Sequence, residues 1–106
     1  MKEQISFSEN WNNKLSCTVF TTLRLHSPKY YVGAKFEIML KSKHLKFAQV
    51  VQVKVLKLSE INEYIGGLDT GYSAKETQEL IKTMYSKYNL DWKTQSLDFI
   101  LLRTLK

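Results

Sequence analysis

Thr22 and Arg24 stand two positions apart in a run of β-branched, aromatic and aliphatic residues that spans positions 19–25. Side chains alternate between the two faces of a strand, so Phe20, Thr22 and Arg24 share one face, while Leu23 and Leu25 look inward from the other. Arginine is always charged, and its planar fork suits a carboxylate, a phosphate or a base edge. The pattern therefore predicts a strand that offers a hydroxyl and a guanidinium to a ligand. The alternative is a structural ion pair with one of the chain's carboxylates.

Two further groups could share that site. The segment Asp69-Thr70-Gly71-Tyr72 predicts a polar turn in which glycine permits a positive φ and the carboxylate reaches solvent, although such a turn also serves simply to open a helix. Lys14 precedes the strand and is expected at the same mouth. Several aromatic side chains could stack a base, and each also has an ordinary packing role. They are Trp11, Tyr30, Tyr31, Tyr64 and Tyr72. The candidate ligand-binding residues are Lys14, Thr22, Arg24, Asp69 and Tyr72.

Positive charge is concentrated in one half of the chain. The net charge is +6, but residues 14–57 carry nine lysines and arginines against a single acidic residue, Glu37. Such an excess favours a polyanionic partner, because neutralised phosphates release counterions. Alternatively, the lysines keep the outer face of a sheet soluble and protect its edges. The candidate nucleic-acid-binding residues are Lys35, Lys41, Lys43, Lys46 and Lys54.

The spacing of capping residues and apolar residues predicts the helices and strands that would position these groups. Ser6 and Glu9 have capping-box spacing, which predicts a short N-terminal helix. Alternating apolar residues at 36–40 and valines at 51–55 predict two strands joined by a hairpin at 42–44. A short helix is expected over 58–65, ended by Gly66-Gly67. A second capping box, Ser73 with Glu76, predicts a longer helix whose apolar stripe enters the core. Residues 97–105 predict a central closing strand.

Composition narrows the class of protein. With 106 residues and 43% hydrophobic content, the chain predicts one domain over residues 1–106. One cysteine, Cys17, excludes an internal disulfide and is expected to be a buried small hydrophobe. Cys17, His26 and His44 lack metal-ligand spacing. No leader and no apolar run of about 20 residues is present, so the expected location is the cytoplasm, without a membrane partner.

Several of these motifs, taken in order, resemble the ASCH domain, a branch of the PUA-like β-barrel group. They are Phe7, the turn over residues 11–15, Thr22, Arg24, Tyr31, Gly33 and the segment 68–73. The resemblance implies an α+β fold, a small, mostly antiparallel PUA-like β-barrel with two or three packed helices.

The same resemblance bears on activity. In small ASCH-type amidohydrolases, which deacylate modified nucleosides, a lysine precedes the threonine and arginine, and an acidic residue follows. Thr22 and Arg24 match, and Asp69 lies near the acidic position, but Val19 occupies the lysine position. Valine has no lone pair with which to act as nucleophile or base. Ala34 also stands where the family often has aspartate after glycine.

These departures favour a binding protein without a catalytic residue, cofactor or metal, whose ligand is RNA or a nucleotide-like molecule. One alternative is an amidohydrolase acting on an acylated or otherwise modified nucleoside, in which Lys14 replaces the missing lysine. A second alternative is a protein-interaction module.

Overall fold

The computed structural model describes residues 3–105, and its strands form one five-stranded sheet. The strands are β1 (Glu3–Phe7), β2 (Val19–Leu25), β3 (Lys35–Leu40), β4 (Lys43–Lys57) and β5 (Ser96–Leu105). The α-helices are α1 (Glu63–Asp69) and α2 (Ala74–Met84), and short 3₁₀ segments cover Trp11–Ser16, Leu58–Glu60 and Ser86–Tyr88.

The sheet is mixed and curls into a half-barrel. Its strand order is β1-β3-β4-β5-β2, so β1 and β2 are the two edges. The β1/β3 pair is parallel, and the other three pairs are antiparallel. The predicted α+β class and the mostly antiparallel barrel-like sheet are thus confirmed at this level. The prediction that residues 97–105 form a central strand is also confirmed, because β5 pairs with β4 on one side and β2 on the other.

The predicted start of the N-terminal helix at a Ser6/Glu9 capping box is wrong. Ile5 and Phe7 instead alternate into the core as part of β1, which pairs with β3. Long-range pairing outweighs a weak local helix signal here. Helical backbone begins only at Trp11, as a 3₁₀ segment interrupted by left-handed Asn12 and Asn13.

The hairpin between β3 and β4 turns on Lys41 and Ser42, one residue earlier than predicted. Both residues have positive φ, 51° and 67°, which is the backbone of a two-residue turn that matches the twist of the sheet. Further along β4, the register shifts between Val50 and Gln52. Val50 is buried on the inner face, whereas Val51 is exposed.

The helices follow the β-strand half of the chain. Helix α1 begins after Asn62, whose side chain accepts from the Ile65 N–H, and continues through Gly66 and Gly67, so the prediction that these glycines end the helix is wrong. Gly66 is instead the point at which α1 approaches α2. The Ser73/Glu76 capping box of α2 is confirmed.

Both faces of the sheet carry buried side chains. One cluster lies inside the curl of the sheet and another lies beneath the helices. The inner cluster includes Ile5, Phe7, Leu15, Phe20, Phe36, Ile38, Val50, Ile100 and Leu102. The helix-covered cluster includes Leu23, Leu56, Leu58, Ile61, Ile65, Ile81 and Leu97. The apolar stripe predicted for the second helix consists of Leu80, Ile81, Met84, Tyr85 and Tyr88. Ile81 is buried, while Met84 and, beyond the end of α2, Tyr88 are exposed. Strand β2 is therefore packed on both faces, because Phe20 belongs to the first cluster and Leu23 to the second.

Cys17 is exposed, which contradicts the predicted burial. It follows the 3₁₀ segment and precedes β2, outside both core clusters. Across residues 3–105, no helix has the length and apolarity needed to cross a membrane. The same part of the chain contains no group of three or more His, Cys, Asp or Glu side chains arranged to hold a metal ion.

Candidate functional site

Lys14 and Asp69 form a buried ion pair at the edge of the sheet beside β2. The Lys14 Nζ atom lies 2.8 Å from Asp69 Oδ1, and the two residues are only 5% and 4% exposed. The Thr21 hydroxyl donates to the same carboxylate oxygen at 2.9 Å. Asp69 was predicted to reach solvent, and this is wrong, because the end of α1 packs against β2 and the Trp11–Ser16 segment.

Burial changes the chemistry of the Lys14 amine. Loss of water around the ammonium lowers the pKa of Lys14 below its ordinary value, against the opposing effect of the Asp69 carboxylate. The positive charge of Arg24 lowers this pKa further. Lys14 is therefore closer to a neutral amine than an exposed lysine is.

Arg24 lies on the face of β2 that the alternation predicts, together with Thr22. It is half-buried rather than directed away from the core. Its Nε atom donates to the Thr22 hydroxyl at 2.9 Å, and its Nη2 atom donates to the Ser6 carbonyl oxygen at 2.8 Å. The guanidinium carbon also lies 4.7 Å from the centre of the Phe7 ring, within the range of a cation–π contact. Arg24 thereby links the two edge strands of the half-barrel.

No carboxylate of residues 3–105 forms an ion pair with Arg24. The alternative of a structural ion pair with Asp69 is thus not what the structure shows, because Asp69 pairs with Lys14. Two of the five guanidinium N–H groups are used by Thr22 and Ser6, which leaves three for another acceptor.

These side chains line a cleft, which we call the Arg24 cleft. Its polar wall consists of Ser6, Ser8, Lys14, Thr22, Arg24, Asp69 and Thr70. Its apolar wall consists of Phe7, Trp11, Leu23, Leu80, Ile81 and Met84. The enclosed part is small, about 20 Å³, which is room for one or two water molecules. The enclosed space can thus take in the tip of a polar group, with the rest of a ligand outside it.

The predicted site residues fall into two groups. Lys14, Thr22, Arg24 and Asp69 all line the Arg24 cleft. Tyr72 does not, and lies beside it, with its ring 6.1 Å from that of Trp11 in an edge arrangement. Thr70 is buried, and its hydroxyl is shared between the Gly66 carbonyl and Thr77.

The five candidate lysines do not form one patch. Lys46 donates to the carbonyl oxygens of Leu15 and Cys17 at 2.6 and 3.0 Å, and burial lowers its pKa. Lys41 lies 3.9 Å from the Glu9 carboxylate. The other three, Lys35, Lys43 and Lys54, are exposed and form no ion pair within the described residues.

Three contributors to the site were not predicted from the sequence. Thr21 binds Asp69 although it points to the opposite face of β2 from Thr22. Ser6 contributes a backbone oxygen, for which no side-chain signal exists. The Phe7 ring lies within 5.4 Å of the Lys14 ammonium and within 4.7 Å of the Arg24 guanidinium. The one sequence signal for Phe7 was its place as the first of the motifs that resemble the ASCH domain.

A solved structure has a similar fold. Protein EF3133 from Enterococcus faecalis V583, assigned to family DUF984, aligns with a TM-score of 0.72 over 99% of this chain and 81% of its own. The sequence identity is 12%, so the similarity concerns the fold. No protein-family model and no curated protein matches the chain.

Proposed function

We propose that the Arg24 cleft binds the phosphate, or another anionic head group, of RNA or a nucleotide-like ligand. The observation that carries this proposal is the unpaired charge of Arg24. Lys14 and Asp69 neutralise each other, so Arg24 is the one unpaired charge among the residues that line the cleft. Asp98, its cross-strand neighbour, is bonded instead by His26 and the Ser27 N–H. A half-buried guanidinium without a carboxylate gains a charge-assisted hydrogen bond when an anion arrives.

The surroundings of the cleft fit the remainder of such a ligand. The enclosed volume admits only the tip of an anionic head group, so a sugar and base would lie at the mouth. Trp11 is half-buried in the wall of the cleft, and Tyr72 beside it is 44% exposed. Aromatic side chains at this place can stack a base. A relationship to the ASCH branch of the PUA-like barrels is part of this proposal, supported by Thr22, Arg24 and the barrel-like sheet.

Calorimetric titration with cytidine 5′-monophosphate tests the proposal, with cytidine as the ligand that lacks the anion. The nucleotide should bind the wild-type protein, and cytidine should bind much more weakly. Arg24→Ala should reduce nucleotide affinity about 10- to 100-fold, the equivalent of a hydrogen bond to a charged group. Arg24→Lys should also bind weakly, because lysine keeps the charge but loses the fork.

Lys75→Ala is the matched control, since Lys75 is exposed on α2 and does not line the cleft. It should retain nucleotide affinity. Equal affinity of wild type and Arg24→Ala, or no detectable binding of the nucleotide to the wild type, would contradict the proposal.

A second candidate function, hydrolysis of an acylated nucleoside, is favoured by one observation. Lys14 reaches the cleft from outside β2, with a buried amine whose pKa is lowered. In its neutral form this amine could take a proton from water as the water attacks an acyl carbonyl. The acyl–nitrogen bond then breaks, the acid leaves with the water oxygen, and the amine of the nucleoside takes up the proton.

Chromatography of an acylated cytidine incubated with the protein tests this candidate. Turnover that vanishes in Lys14→Ala, while Lys75→Ala on the exposed face of α2 remains active, would support it. No turnover in the wild type, or full turnover in Lys14→Ala, would exclude Lys14 as the base.

A further inference from the structure

The sheet has a second polar and aromatic surface, on the opposite face from Arg24. Cross-strand pairing places Lys35, Gln49, Arg103 and Val19 side by side across four strands. The next row contains Gln52, Leu101 and Thr21. The third contains Lys54, Phe99 and Leu23, of which Leu23 is buried beneath the helices. Paired residues share a face, so these side chains form one surface, which we call the open face.

A groove lies where the open face meets helix α1. Tyr64 and Leu68 of α1 form one side, and Phe99 and Leu101 of β5 form the other. Thr21, Gln52 and Lys54 complete its lining, and its volume is about 280 Å³, near the lower end of the roughly 300–1,000 Å³ of small-molecule sites. Tyr64 is 74% exposed and Leu68 is 46% exposed, so neither is needed to fill the core.

The charged residues in these three rows are all basic. Lys35, Lys54 and Arg103 are exposed and form no ion pair within residues 3–105. Lys35 and Arg103 share the first row, and Lys54 lies in the third. The acidic Glu37, two residues beyond Lys35 on β3, is bonded to Gln4 and His44. Along β5, Arg103 and Phe99 are separated by about 13 Å, at about 3.3 Å per residue. The cations therefore lie at both ends of an aromatic and aliphatic strip.

We propose that the open face binds single-stranded RNA, with a base in the groove between Tyr64 and Phe99 and phosphates at Lys54, Arg103 and Lys35. Stacking on aromatic side chains together with a positively charged path is the general chemistry of single-strand binding. The exposed amide of Gln52 at the groove can bond a 2′-hydroxyl, the group that distinguishes RNA from DNA. A protein partner of ordinary composition would leave three cations facing its surface without matching acids.

This inference goes beyond the proposed function of the Arg24 cleft, and the two can fail separately. Arg24 lies on the other face of β2 from Thr21 and the groove. Variants at the open face leave the cleft intact, and Arg24→Ala leaves the open face intact.

Fluorescence anisotropy with a labelled oligouridine of about ten nucleotides tests the inference, since one small β domain covers about 4–16 nucleotides. The logarithm of the affinity should fall with the logarithm of salt concentration at a slope of about −2, from three phosphate contacts at about −0.7 each. The double variant Lys54→Gln/Arg103→Gln should bind more weakly. Its slope should be less steep by about 1.4, because two phosphate contacts at about −0.7 each are lost. Tyr64→Ala should weaken binding about 5- to 150-fold, the effect of losing one stacked base.

Matched controls come from exposed residues elsewhere on the chain. Tyr31→Ala and Lys75→Gln should bind like wild type, since both residues are exposed outside the open face. In the Arg24→Ala background, Lys54→Gln/Arg103→Gln should still weaken oligouridine binding, which separates the open face from the Arg24 cleft. Circular dichroism checks that each variant is folded.

Three results would overturn the inference. One is wild-type affinity in Lys54→Gln/Arg103→Gln. Another is no binding of the oligouridine at low salt, or an affinity that does not depend on salt. The third is equal affinity for the DNA oligomer of the same length, which would contradict the assignment to RNA.

Discussion

The Nη2 atom of Arg24 lies 2.8 Å from the carbonyl oxygen of Ser6, and this contact joins the two edge strands of the sheet. β1 and β2 stand at opposite ends of the strand order, so the guanidinium closes the half-barrel where no backbone ladder does. The same group forms part of the wall of the Arg24 cleft. A ligand that binds Arg24 would therefore bind to a side chain already held in place by the fold.

Arg24→Ala should lower the free energy of unfolding by about 1.5–3 kcal/mol, the usual effect of losing hydrogen bonds to a charged group. This lies below the roughly 3–5 kcal/mol expected for breaking a buried ion pair. It exceeds the roughly 0.5 kcal/mol of a typical surface change. Urea unfolding followed by tryptophan fluorescence measures it. A loss under about 0.5 kcal/mol would show that the Ser6 contact contributes little to closure of the barrel.

Lys14→Met should destabilise the protein by about 3–5 kcal/mol, because it leaves the buried Asp69 carboxylate without its cation. Lys14→Met/Asp69→Asn removes both charges and keeps an oxygen for the Thr21 hydroxyl. The double variant should therefore be more stable than Lys14→Met. Urea unfolding of both variants at neutral pH provides the comparison. If the double variant were as unstable as Lys14→Met or less stable, the unpaired carboxylate would not be the cause of the loss.

The stability that Lys14 contributes should rise with pH. The pKa of Lys14 in the folded protein is lower than its ordinary value of 10.5, which applies to the unfolded chain. At pH values between the folded and the unfolded pKa, Lys14 therefore takes up a proton when the protein unfolds. The free energy of unfolding then increases with pH, by at most about 1.4 kcal/mol per pH unit for one group, and its full value is reached above 10.5. Urea unfolding of wild type and Lys14→Met/Asp69→Asn across alkaline pH isolates this effect, since other titrating groups are shared. If the free energy of unfolding of wild type minus that of the double variant stayed constant or fell as the pH rose, the pKa of Lys14 would not be lowered.

Gly66 and Gly67 are neighbours in α1 with opposite surroundings, and alanine should affect them differently. A Cβ at Gly66 would lie 3.0 Å from the Tyr72 carbonyl oxygen and 2.9 Å from Thr77 Oγ1. Gly66→Ala should therefore push α1 and α2 apart and destabilise the protein. Nothing lies within 4 Å of a Cβ at Gly67, so Gly67→Ala should stabilise by about 0.5–1 kcal/mol. Thermal unfolding of the two variants measures both effects, and a stable Gly66→Ala would refute the close packing of the helices.

Much of the strand half of the fold can be predicted from the sequence. Alternation identifies β2, β3 and β5, and the Ser73/Glu76 spacing identifies the start of α2, because these signals act within a few residues. The N-terminus could not be predicted this way. The strand character of residues 3–7 depends on pairing with β3 about thirty residues later.

In the candidate site, too, local features could be predicted from the sequence and long-range contacts could not. Residue type and order predicted Lys14, Thr22, Arg24 and Asp69, which the fold brings to one cleft. Their partners were not predictable, because the Lys14–Asp69 pair joins residues 55 positions apart. Thr21 also contacts Asp69 from the opposite face of β2, and strand alternation alone assigns it away from the site.

Direct observation of the Arg24 side chain by NMR tests the central claim that its guanidinium receives an anionic ligand. The Nε–H signal of Arg24 in ¹⁵N-labelled protein should shift as cytidine 5′-monophosphate is added, together with the backbone amides of neighbouring Ser8 and Thr22. Cytidine should cause a much smaller shift, because it carries no phosphate. An Arg24 Nε–H signal that remains in place while the nucleotide saturates the protein elsewhere would contradict the claim.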